Sequence, residues 1–211
     1  MDIIYLNEID STHKYLKEYI KKNSFKAPIA VVTQNQTNGV GSRDNPWFGM
    51  KGNIFFSFVL SKSFLPKDLK IESASIYFSF LLKEILKQHS SKVWLKWPND
   101  FYINNKKIGG TITTLNNDLL FCGIGINIVE VLQEYGILDV PIDTKNVLTE
   151  YFNLILSKPI WKHIFSKFEI EFKKSKEYKT TINKEKISLA HAILLEDGSI
   201  MIDNKKVYSL R

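Results

Sequence analysis

Between residues 93 and 128 the chain leaves no room for a helix. Four runs rich in β-branched and aromatic residues, 93–97, 101–103, 107–115 and 119–128, follow one another with only short, Asn-bearing turns between them. Connections that short join antiparallel neighbours, because a parallel pair needs a crossover of about a dozen residues or more. The first turn of this meander holds an uncommon set of side chains. Lys96-Trp97-Pro98-Asn99-Asp100 leads into it, and Lys107-Ile108-Gly109-Gly110 follows the return. Pro98 fixes its own φ and makes the turn rigid. Asp100 is either an oxygen ligand for a hard cation such as Mg²⁺ or a general base, and Lys96 is placed to meet a phosphate. Taken alone, the same residues also make a plain turn beside a core tryptophan. Lys107, directly before a glycine pair, is a compact cation suited to a carboxylate–phosphate junction, and Lys106 beside it reads as solvated.

The flanking segments give the rest of the architecture. Strands are predicted over 3–6, 29–33 and 53–60, and helices over 11–22, 69–89, 146–156 and 160–173, the first capped by Asp10 or Ser11. The tail beyond Lys179 holds three short strand-like runs, with Glu196-Asp197-Gly198 as a hairpin turn. The expected class is α+β: a mixed, mostly antiparallel sheet with helices on one side, plus a short C-terminal β subdomain. A catalytic domain over 1–176 and a subdomain over 177–211 are the expected division.

Composition excludes several function classes. With 211 residues, 44% of them hydrophobic, the chain can build a real core. No apolar run approaches the roughly 18 residues of a membrane span, and Met1–Asp10 does not read as a signal peptide. The single cysteine, Cys122, precludes an internal disulfide, fits a reducing compartment and reads as inert core, so a cytoplasmic location is expected. The formal charge of +7 invites a nucleic-acid reading, but the basic residues are dispersed lysines, with arginine only at Arg43 and Arg211. A solvated surface is the stronger expectation, and no specific DNA complex is expected. His13, His89, His163 and His191 lack metal-ligand spacing, and there is no Gly-x-Ser-x-Gly elbow.

Two glycine-bearing segments remain. Residues 35–52 form a long polar stretch containing Gly39-Val40-Gly41-Ser42-Arg43, where bare backbone can approach an anion and Arg43 adds a charged fork. The pattern lacks the third glycine of a dinucleotide fingerprint and alone better describes an ordinary glycine-rich surface loop. Trp47, in the same stretch, is either core or an adenine-stacking ring. Gly123-Ile124-Gly125-Ile126-Asn127 places glycines inside an apolar strand, which makes room for a planar ligand beside it.

In this order and spacing, the motifs resemble the catalytic domain of biotin protein ligases. Lys-Trp-Pro-Asn-Asp followed by Lys-x-Gly-Gly is specific to that family. Ile9-Asp10-Ser11-Thr12, the 36–47 loop and Gly-Ile-Gly-Ile-Asn reinforce it. The resemblance implies ATP-dependent activation of biotin as biotinoyl-5′-AMP, with Mg²⁺, and transfer to a lysine of the biotin carboxyl carrier protein of acetyl-CoA carboxylase. It implies that Ser11, Thr12, His13, Gln36, Gly39, Val40, Gly41, Ser42, Gly110 and Gly123 surround biotin. It places Lys107 against the biotin carboxyl and the α-phosphate, and Trp47, Lys96, Asn99, Asp100 and Asn127 around the nucleotide, with Asp100 toward Mg²⁺. Lys107, Asp100 and Arg43 are the expected catalytic residues. The family loop is often Gly-Arg-Gly-Arg, and here Val40 and Ser42 stand at the two arginine positions. A monomer or weak homodimer without repressor activity is expected. A lipoate–protein ligase is the rival enzyme, although its Arg-Arg-x-x-Gly-Gly-Gly signature is missing. A basic nucleic-acid-binding module is the rival of another class.

Overall fold

Side-chain alternation along one seven-stranded sheet decides what lies on each of its faces. The computed structural model describes residues 1–23, 28–41, 46–47, 49–129, 132–182 and 185–208. Strand β1 (Asp2–Leu6) leads through helix α1 (Thr12–Lys22) to β2 (Ile29–Thr33). A short ribbon of β3 (Gly39–Val40) and β4 (Pro46–Trp47) precedes β5 (Ile54–Ser61). Helix α2 (Ala74–Gln88) follows, entered through one 3-10 turn at Ile71–Ser73. The meander is β6 (Trp94–Lys96), β7 (Asp100–Ile103), β8 (Lys106–Asn116) and β9 (Leu119–Ile126). Helices α3 (Thr144–Leu156) and α4 (Trp161–Ser175) come next. The tail adds β10 (Lys179–Ile182), β11 (Glu185–Ser188), β12 (Ile193–Leu194), β13 (Ile200–Ile202) and β14 (Lys205–Val207).

The large sheet has the order β1-β2-β5-β9-β8-β7-β6. Its pairs are antiparallel except β1 with β2, which α1 connects as a crossover. This is the α+β class with a mixed, mostly antiparallel sheet.

One face of the sheet carries Val32, Phe56, Phe58, Cys122 and Ile124 and packs beneath α2, α3 and α4. Phe58 meets Phe78 of α2 edge-on at 5.0 Å, and Phe56 meets Tyr151 of α3 at 5.7 Å. Burying each such ring contributes about 1.5–3 kcal/mol relative to leaving it in water. Leu189, Ala192 and Ile200 of the tail join this same core. Three of the four helices therefore gather on one side, whereas the sequence places the helices together on one side. The fourth, α1, lies on the other face, where Leu16 covers Val31, Val59 and Phe121. It shields only part of that face, and the uncovered part is the floor of the cleft.

The hairpin turn predicted at 196–198 joins β12 to β13, and it is also where the tail docks. Its carbonyls accept from Trp161 Nε1 at 2.8 Å (Glu196), from the Ser73 hydroxyl (Asp197) and from Trp97 Nε1 at 2.9 Å (Gly198). Gly198 has φ +80°, and a Cβ there would stand 2.8 Å from Ser73 Oγ, so glycine is required twice over.

Candidate active site

The cleft floor is two neighbouring cross-strand rows. Ser57 of β5, Gly123 of β9 and Ile112 of β8 form one. Phe55, Gly125, Gly110 and Asp100 form the next, which runs on into β7. The N-terminus of α1, Gln36 and the β3–β4 ribbon wall this floor. Between them lies a cleft that opens to solvent.

One end of the cleft is polar and uncharged. Gln36 Oε1 accepts from the Thr12 backbone N–H at 3.0 Å and from its hydroxyl at 3.2 Å, and Thr12 Oγ1 lies 2.9 Å from Ser57 Oγ. Ser11 caps α1, its hydroxyl accepting from Lys14 N–H at 3.4 Å. His13 Nε2 lies 3.3 Å from Thr114 Oγ1, while its buried Nδ1 has no hydrogen-bond partner. Burial, aided by the positive charge of Lys17, lowers the His13 pKa to about 4, so the imidazole is neutral at neutral pH.

The other end is charged. Asp100 Oδ1 lies 2.5 Å from Lys107 Nζ, and Oδ2 lies 3.1 Å from Lys96 Nζ. Burial pushes the Asp100 carboxyl up, but Lys107 and then Lys96 outweigh it and hold the group below the usual carboxylate range. Lys107 also stands 5.7 Å from the Trp47 ring centroid.

A β-bulge aims Lys107 into the cleft. Gly109 pairs with Phe101, but Lys107 pairs with Tyr102, so Ile108 is an extra residue on β8. Ile108 is fully buried in the core, and a Cβ on Gly109 would stand 2.5 Å from the Gly125 carbonyl and 3.3 Å from Phe101. Two consecutive residues thus occupy the core side. Without the insertion, strand alternation would put Lys107 on the face of Gly109 and Thr111; with it, Lys107 shares the face of Gly110 and Asp100.

The glycines of β9 line the cleft, and side chains of the protein itself also stand against them. The room beside Gly125 is filled by Trp47, whose Nε1 would lie 3.0 Å from a Cβ there, and Gly123 packs against Ser57, Ile112 and His13. Rings of the protein itself press on the strand. The Trp47 Nε1 is buried and has no hydrogen-bond partner, so the ring stands beside the cleft with an unused donor.

Of the residues predicted for the site, Ser11, Thr12, His13, Gln36, Val40, Gly41, Trp47, Asn99, Asp100, Lys107, Gly110 and Gly123 border one cleft. Gly39 lies behind it, where a Cβ would overlap Gln36 and the Trp47 carbonyl. Lys96 supports Asp100 from the rear. Asn127 falls outside the lining, and its amide donates to the Gly136 carbonyl at 3.3 Å. Ser42 and Arg43 lie outside the described residues. Phe55, Ser57 and Ile112 line the floor although the sequence did not single them out. A lone hydroxyl in the apolar run Ile54-Phe55-Phe56-Ser57-Phe58 was the available signal. Among the described residues no group of three or more His, Cys, Asp or Glu could hold a metal, and no helix is long and apolar enough to cross a membrane.

This arrangement can grip an uncharged polar ring at one end and neutralise a carboxylate or phosphate at the other. Comparison with known proteins leads to the same place. The chain matches the biotin/lipoate A/B protein ligase family over residues 5–128. It is 38% identical to the biotin acetyl coenzyme A carboxylase synthetase of Helicobacter pylori, solved with biotinylated ATP, covering 98% of this chain and 99% of that one with a TM-score of 0.93. The fold also matches the biotin protein ligase of Aquifex aeolicus, at 24% identity and a TM-score of 0.79, over 100% of this chain and 96% of that one. The bifunctional ligase/repressor BirA of Escherichia coli is 29% identical over 126 residues, 56% of this chain and 38% of its own length. The chain thus spans about two-fifths of that curated relative. With the matched segment holding both ends of the cleft, and near-complete coverage at 38% identity beside it, the chain belongs to the biotin/lipoate A/B protein ligase family.

Proposed function

We propose that the chain is a biotin–protein ligase. It joins biotin to ATP as biotinoyl-5′-AMP and transfers the biotinoyl group to a lysine of the biotin carboxyl carrier protein of acetyl-CoA carboxylase. The observation that carries this reading is one cleft with Thr12, Gln36, Ser57 and a neutral His13 at one end and Lys107 paired with Asp100 at the other. Biotin has a cyclic urea at one end and a carboxylate at the other. Lipoate's dithiolane offers that polar end no hydrogen bonds, whereas a cyclic urea offers both donors and an acceptor. The name of the Helicobacter pylori relative supports acetyl-CoA carboxylase as the source of the carrier.

In the first step a biotin carboxylate oxygen attacks the α-phosphorus, and the bond to the β-phosphate oxygen breaks to release pyrophosphate. This needs no protein nucleophile, only positioning and charge neutralisation. Lys107 supplies the charge: its side chain is 29% exposed, so it can pass from Asp100 to the reacting oxygens. Ser11, Thr12, His13 and Gln36 hold the ring end, and Val40, Gly41, Gly110 and Gly123 border the substrate. Asn99, Trp47 and Lys96 stand on the nucleotide side with Asn127 just past β9. In the second step the carrier lysine's neutral amine attacks the acyl carbon, the bond to AMP breaks, and the amine loses a proton. Asp100, held ionised between two lysines, is a weak base for that proton, and its main work is to orient Lys107.

Mg²⁺ would accompany the ATP phosphates. Asp100 is the one carboxylate in the described lining, and both its oxygens already face ammonium groups. These residues alone do not make a metal site. Mass spectrometry of the protein incubated with biotin and Mg-ATP tests the reading: retained biotinoyl-AMP is expected, and its absence under turnover conditions would overturn it.

A further inference from the structure

Gly136 borders no part of the cleft, yet it bonds directly to Lys107. Strand β8 is flanked by β7 on one side and by β9 on the other, but β9 ends at Ile126, opposite Gly109. Beyond that point, among the described residues, two N–H groups hold this edge of β8. Asn127 N–H donates to the Ile108 carbonyl at 2.7 Å, and Gly136 N–H donates to the Lys107 carbonyl at 2.9 Å. Tyr135 lies alongside Lys107 as a parallel bridge. The segment is itself tied down: its Gly136 carbonyl accepts from the Asn127 amide at 3.3 Å, and Leu138 N–H donates to the Asn127 carbonyl at 2.8 Å.

The approach is close. A Cβ on Gly136 would stand 2.9 Å from Lys106 Cβ and 3.1 Å from Ile108 Cγ2, the residues on either side of Lys107. Gly136 is not among the positive-φ glycines, so its backbone conformation suits alanine and the obstacle is purely steric. A bulge leaves the local ladder disrupted, so whatever occupies its carbonyls fixes its shape.

We propose that Gly136 is a positioning residue for Lys107: its bare Cα lets the 135–136 backbone close on the bulge and lock the direction in which Lys107 leaves the strand. This rests on Lys107 acting as the charge-neutralising residue of adenylation.

Gly136→Ala tests it, measured with Lys106→Gly and the double variant. Gly136→Ala should keep biotin affinity within about twofold and slow biotinoyl-AMP formation by about tenfold to a hundredfold, the range for small misplacements of a reacting group. Lys106→Gly removes the Cβ that the new methyl meets. It should be nearly silent alone and should restore most of the rate in the double variant. Wild-type rates in Gly136→Ala, a loss that Lys106→Gly does not relieve, or biotin affinity falling in step with rate would each overturn the proposal. If the wild-type protein forms no adenylate at all, it is the ligase reading that fails.

Discussion

Trp97 Nε1 donates to the Gly198 carbonyl at 2.9 Å, joining the turn that ends in Asp100 to the hairpin of the tail. The Trp97 backbone N–H donates to Ser175 Oγ at 3.0 Å, at the end of α4. Trp97 is fully buried, so the Lys-Trp-Pro-Asn-Asp motif divides its labour: the tryptophan anchors and Asp100 faces the cleft.

Trp97→Phe keeps most of the ring and removes that donor, leaving the Gly198 carbonyl short of its partner. A loss of about 1–3 kcal/mol is expected. Urea unfolding at neutral pH reads it, with unchanged stability as the contrary result.

Lys107→Ala should slow adenylate formation by a hundredfold or more, about 3 kcal/mol of transition-state stabilisation, while leaving the fold intact. Lys106, exposed, with its Nζ on the Gln133 carbonyl at 3.1 Å, is the control. Single-turnover formation of biotinoyl-AMP separates the two, and equal effects of both alanines would contradict the assignment.

Asp100→Asn removes the charge between Lys96 and Lys107. Adenylate formation should fall steeply, because Lys107 loses the partner that orients it. Transfer from supplied biotinoyl-AMP should fall by less than about tenfold, because a carboxyl with a depressed pKa is a poor base. A larger loss in transfer than in adenylation would restore Asp100 as the base.

His13 makes stability fall in acid. Its folded pKa of about 4 lies below the ordinary value of 6.5, so the unfolded chain binds the extra proton between those two pH values. The contribution is fully present above pH 6.5 and is lost as pH falls toward 4, on the order of 3 kcal/mol in total. In urea unfolding at pH 7 and pH 5, wild type should lose more stability than His13→Gln. Parallel losses would mean that His13 is not held neutral.

The sequence made most of the fold legible. Helix α2 announces itself through Tyr77, Phe78, Leu81, Leu82 and Ile85, and the meander through its short turns. Most of the cleft's polar and charged residues were also legible, since each sits in a short motif of its own, at 11–13, 36–41, 96–100 and 107–110. The bulge at Ile108 was not, because Lys107-Ile108-Gly109-Gly110 reads as plain strand and only pairing with β7 reveals the inserted residue. The seating of Trp47 on Gly125 left no local trace either, because segments far apart in the chain make it. The placement of α1 opposite the other helices follows from alternation, in which Val31, Val59 and Phe121 fall on one face and Val32, Phe58 and Cys122 on the other. That parity could be assigned only once the register was known.

The most direct measurement is ATP–pyrophosphate exchange with biotin and with lipoate as alternative acids, in wild type and in Lys107→Ala. The expected result is exchange that depends on biotin, is absent with lipoate, and is lost in Lys107→Ala. Exchange driven by lipoate, or biotin-driven exchange that survives the loss of Lys107, would contradict the assignment of this cleft.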